Sequence, residues 1–124
     1  MNKMRTKIEH WIKTINEETG CPTDVIALNF GLFESVNGYG IYLIGSKSYD
    51  ENDDDWACDI DFEPPNKYLM LTHDDVQNMD WKEIQHEVTN IISKYISDKR
   101  NNISLFQNKI ITIGFDDGNL ERIK

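Results

Sequence analysis

"DVIALNFGLFESVNGYGIYLIGS", residues 24–46, is the stretch whose reading decides the fold. Ile26, Leu28, Phe30 and Leu32 alternate with Ala27, Asn29 and Gly31, the period of a strand with one buried face. Asn37-Gly38 separates this run from a second one, in which Tyr39, Ile41 and Leu43 alternate in the same way. Asn-Gly is the strongest short-range hairpin signal, because both central residues of a type I′ turn need positive φ. The stretch therefore predicts two antiparallel strands joined by a tight turn.

Upstream, Met4, Ile8, Trp11, Ile12 and Ile15 recur at helical spacing and make one apolar face, which predicts a helix over residues 3–18. Gly20 can take the left-handed conformation that ends it, and Pro22 prevents its return. Further along, Ile84, Val88, Ile91, Ile92, Tyr95 and Ile96 mark a second helix that ends near Asp98, where "DKRNN" supplies cations and helix-stopping asparagines. Asp80 is a good N-cap for it, Glu83 completes a capping box, and Met79 and Ile84 are placed as a hydrophobic staple.

Between the hairpin and that helix, Trp56, Cys58, Ile60 and Phe62 alternate with Ala57, Asp59 and Asp61, which predicts a third strand ended by Pro64-Pro65. "KYLMLT", residues 67–72, fits a fourth, followed by a Thr72-to-Asp75 cap. The end, "ISLFQNKIITIGFDDGNLERI", reads as a hairpin turning at Gln107-Asn108, then an "FDDGNL" turn and a short strand at Leu120–Ile123. The expected order is α-β-β-β-β-α-β-β. Parallel pairing needs a long crossover, so the expected fold is α+β: a mostly antiparallel sheet of about six strands with two amphipathic helices packed on it.

The 124 residues suit a single domain, 1–124, long enough to bury a continuous core. No apolar run approaches the roughly 20 residues a bilayer span needs, and the N-terminal stretch lacks the apolar centre of a signal peptide. A cytoplasmic location is expected, with Cys21 and Cys58 as reduced, partly buried thiols.

The net charge of −9 sits almost entirely in one place. Asp50, Glu51, Asp53, Asp54, Asp55, Asp59, Asp61 and Glu63 fall within "DENDDDWACDIDFE", residues 50–63, with no Lys or Arg among them. The rest of the chain is nearly neutral, so this is a neutral domain carrying one acidic segment. That weighs against nucleic acid, which needs cations to displace counterions, and against anionic membranes. A basic protein or a cation is the natural partner.

Asp50, Asn52 and Asp54 match the first ligand positions of an EF-hand loop, but Asp55 stands where that loop requires glycine. The flanks also read as strands, so the EF-hand is rejected. On a strand, Asp59, Asp61 and Glu63 would display carboxylates about 7 Å apart, a spacing that suits metal-assisted or glycosidase chemistry. His10, His73 and His86 are not spaced as a ligand pair, and no nucleophile elbow, zinc-protease motif or phosphate loop occurs. The expectation is a non-enzymatic domain without catalytic residues, resident metal or cofactor. A divalent-cation-binding or metal-dependent hydrolytic domain using the Asp/Glu cluster is the alternative, and a solvated loop that keeps the chain soluble is the plainest reading.

Two details favour a recognition surface. The acids run on from the loop into a rigid element, and Tyr49 and Trp56, residue types that anchor interfaces, are interleaved with them. The candidate partner-binding residues are Tyr49, Asp53, Asp54, Asp55, Trp56, Asp59, Asp61 and Glu63. In size, charge and element order, with "WACDIDFEPPNKYL" and "IITIGFDDGNLERI" as its nearest approach to motifs, the chain resembles the small acidic immunity proteins of bacterial polymorphic-toxin systems. The resemblance implies a basic protein partner, a cognate toxin domain such as a nuclease, neutralised by occlusion of its active site.

Overall fold

The computed structural model describes residues 3–98, 104–116 and 118–124. Helix α1 covers Lys3–Glu18 and buries Met4, Ile8, Trp11, Ile12 and Ile15, the face its periodicity predicts. Strands β1 (Ala27–Ser35) and β2 (Gly38–Ser46) follow as an antiparallel hairpin, Ser35 facing Gly38. The hairpin is as predicted, but its turn lies one residue earlier. The central residues are Val36 and Asn37, and the positive φ of 145° falls on Gly38, the first residue of β2. A β-carbon there would stand 2.1 Å from the Leu71 carbonyl oxygen, so glycine is required for space as well as for φ.

Beyond β2 comes a 3-10 turn, Asp54–Cys58. Strand β3 (Tyr68–Thr72) then pairs antiparallel with β2, a short helix α2 (His73–Val76) leads to helix α3 (Trp81–Ser97), and a further 3-10 turn spans Ser104–Phe106. Strands β4 (Ile110–Phe115) and β5 (Glu121–Arg122) close the chain as an antiparallel pair. The α3 start is built as its sequence predicts: Glu83 N–H donates to the Asp80 carboxylate at 2.8 Å, and Asp80 N–H to Glu83 at 3.3 Å. Lys99 to Ile103, including the cations expected after α3, and Asp117 of the "FDDGNL" turn lie outside the described residues.

The sheet has five strands in the order β3-β2-β1-β4-β5, mostly antiparallel but mixed, because β4 runs parallel to β1. Three expectations are corrected here. The sheet has five strands, not six. Residues 56–62 are not a strand; they form the 3-10 turn and an extended segment that touches the sheet at one bridge, Phe62 to Gly45. The Asp53 carboxylate accepts from Asp55 N–H at 3.0 Å, a local bond that competes with a ladder, and of the four alternating apolar positions only Trp56 and Phe62 are buried. Cys58 and Ile60 are exposed. Finally, residues 104–108 form turns, not the first arm of a hairpin; the C-terminal hairpin is β4–β5. The segment holding α3 is long enough to be the crossover that brings β4 beside β1, and the β-branched "IITI" run of β4 suits a central strand buried on both faces.

All the helices lie on one face. Leu28, Phe30 and Leu32 of β1, Ile41 and Leu43 of β2, Leu71 of β3 and Ile111 and Ile113 of β4 meet the apolar stripes of α1 and α3 there in one cluster. A part-buried ion pair, its carboxylate inside and its Lys7 side chain 38% exposed, ties this layer to the β3 edge. Lys7 Nζ lies 2.5 Å from the Asp75 carboxylate and 3.2 Å from Met70 O, and Asp75 also accepts from Thr72 N–H at 2.8 Å. Among the described residues, no helix is long and apolar enough to cross a membrane.

Candidate functional site

The opposite face of the sheet is where the acidic segment lies. Its central positions are also buried: Ala27 and Asn29 of β1, Ile44 of β2 and Thr112 of β4. The turn after β2 lies beside Asn29, and its Trp56 is 5% exposed and meets Tyr49 edge-on at 5.3 Å. Arg122 of β5 stands over the Tyr49 ring at 5.8 Å, and the Asp54 carboxylate accepts from Leu120 N–H at 3.0 Å. Beneath, Thr112 donates to the Asn29 side-chain oxygen at 2.8 Å, which satisfies a buried polar pair.

Asp53 caps the 3-10 turn through Asp55 N–H. Asp54 fastens the turn to the 118–120 loop. Asp61 accepts from Lys47 N–H at 2.8 Å, and Glu63 pairs with Lys67 at 2.7 Å. Among the described residues no ion pair involves Asp55 or Asp59, and both are exposed. Trp56 and half-buried Tyr49 hold the turn from within. The acids are therefore presented on a fastened turn, not along one strand face. No group of three or more His, Cys, Asp or Glu side chains able to hold a metal ion forms among the described residues. His10, His73 and His86 are exposed.

Beside the turn lies a feature the sequence reading missed. Gly31 and Gly40 leave the sheet bare, and two aromatic rings lie down in the space: Tyr42 over Gly31 and Phe33 over Gly40. Tyr68 of β3 meets both rings, with centroids at 6.4 Å from Tyr42 and 6.0 Å from Phe33. With Met70 they make an aromatic tray in which Tyr68 is 55% and Met70 46% exposed. A cleft of about 370 Å³ shares Tyr42 with the tray and is otherwise lined by Asp54, Asp55, Cys58 and Asp116 among others. Tyr42 Oη donates to the Asp116 carboxylate at 2.5 Å. Burial first, and then that bond, push the phenol well above its usual pKa, so it stays a donor. The signal was present as glycines facing aromatics, but it is legible only when the strand register pairs Gly31 with Tyr42 and Phe33 with Gly40.

Compared with protein-family models, with curated proteins and with solved structures, the chain matches none.

Proposed function

We propose that this is a non-enzymatic protein-binding domain that takes a basic protein partner on the acidic turn, most concretely an immunity protein that neutralises a cognate toxin domain by steering and occlusion. The observation that carries the reading is the presentation of the carboxylates. All eight, from Asp50 to Glu63, are exposed, on a segment that carries buried Trp56 and that the Asp54–Leu120 bond fastens to the 118–120 loop. A charge run meant only for solubility needs no such support. Carboxylates held in place raise association rates with a basic surface and accept charge-assisted hydrogen bonds from Lys and Arg. Trp56, being buried, serves as the support of that surface, and Asp55 and Asp59 are its open contacts.

The test is rescue. Cells producing a toxin domain encoded beside this gene should grow when the chain is co-expressed, and the complex should form more slowly as salt rises. Asp55→Asn combined with Asp59→Asn should slow association and flatten that salt dependence. Absence of rescue, or kinetics indifferent to salt, would overturn the reading.

A further inference from the structure

The aromatic tray and the acidic turn meet at Tyr42, which lines the cleft under the turn, and together they are more selective than a charge patch. We propose that the tray is the docking place of an arginine-bearing segment of the partner, its guanidinium lying against Tyr42 and Tyr68 and facing the Asp55 and Asp116 carboxylates. The inference rests on the basic-partner reading and names the chemistry that reading would take.

Three observations carry it. First, the tray exposes aromatic and thioether surface at Tyr68 and Met70. Second, that surface already holds a cation: Lys67 Nζ sits 5.0 Å from the Tyr68 ring centroid, its charge answered by Glu63. Third, Tyr42, whose ring meets Tyr68, also lines the neighbouring cleft together with Asp54, Asp55 and Asp116, so the tray borders carboxylates at Tyr42, and one of them, Asp55, has no partner ion among the described residues. A planar guanidinium stacks on an aromatic face and forks onto a carboxylate at once, whereas an ammonium does only one of these well. The charge complementarity thus points to arginine in preference to lysine, and to a protein segment in preference to a second copy of this acidic chain.

The probe is a fluorescein-labelled octapeptide of alternating Arg and Gly, with its Lys counterpart, titrated by anisotropy at low ionic strength. The Arg peptide should bind tighter by roughly fivefold, Tyr68→Ala should remove that preference, and Tyr68→Phe should keep it. Asp55→Asn should weaken both peptides. Equal binding of the two peptides, unaffected by Tyr68→Ala but weakened by Asp55→Asn, would overturn the docking inference and leave the acidic-surface reading standing. No binding of either peptide would overturn both. A concentration-dependent dimer abolished by Tyr68→Ala would overturn the inference in favour of self-association through the tray.

Discussion

The ring of Tyr42 lies across Gly31 on the neighbouring strand, so near that a β-carbon on Gly31 would stand 2.0 Å from its Cζ. Gly31→Ala should therefore evict the ring and cost about 1–3 kcal/mol, the range for overpacking a well-filled site. The double variant Gly31→Ala with Tyr42→Ala should cost less than the two single losses added together, because the first change already removes what the second deletes. Urea denaturation of the four proteins measures this, and strict additivity would show that the ring does not depend on the bare glycine.

Lys7 and Asp75 join α1 to the start of α2, and the Asp75 side chain is only 5% exposed. Burial alone would raise its carboxyl, but the Lys7 ammonium and the Thr72 N–H and hydroxyl outweigh burial and hold it below the usual carboxylate range. Lys7 is 38% exposed and Thr72 still serves the carboxylate, so Lys7→Met should cost about 1–2 kcal/mol at neutral pH, less than the loss of one partner of a fully buried pair. A depressed folded-state pKa stabilises above the unfolded value of about 3.9, and the stabilisation is lost as pH falls through the folded value. The gap in denaturation midpoint between the parent and Asp75→Asn should thus be full at neutral pH and close in acid. A gap that widens in acid would contradict the assignment.

Asp59 and Asp61 look equivalent on paper and are not. Asp61 accepts the Lys47 amide at 2.8 Å, whereas the exposed Asp59 carboxylate makes no ion pair among the described residues. Asp61→Ala should cost about 1 kcal/mol and Asp59→Ala less than about 0.5 kcal/mol. Thermal melts of the two variants separate them, and equal losses would refute the distinction.

Trp56 holds the acidic turn against the sheet, so Trp56→Ala should cost about 3 kcal/mol and open residues 47–61 to proteolysis before the helices are attacked. Mass mapping of the first cuts after brief digestion would show it. First cuts elsewhere would mean that the turn is held by other contacts.

Helix α1, helix α3 and its Asp80–Glu83 cap were legible because their determinants are local: an apolar stripe and a cap complete within one turn. The hairpin was legible for the same reason, though the Asn-Gly pair placed its turn one residue late. What failed was non-local or deceptive. β4 pairs with β1 across 83 residues, as in the Thr112–Asn29 bond, and nothing local announces that partner. The alternation of Trp56, Cys58, Ile60 and Phe62 imitates a strand, while the Asp53 side chain quietly starts a turn. Charge in the candidate site could be read from the sequence; its aromatic half depended on a register that only pairing reveals.

The parallel β4 has a consequence for the order of events during synthesis. Until residues 110–115 exist, β1 has a bare hydrogen-bonding edge and the apolar faces of Ile111 and Ile113 are missing from the middle of the sheet. Such a nascent chain carries an open edge strand, the template on which other chains add. Closing the sheet across so long a loop is also slow. Chaperone dependence and aggregation of this protein should therefore be set less by its final stability than by how long β1 waits for β4.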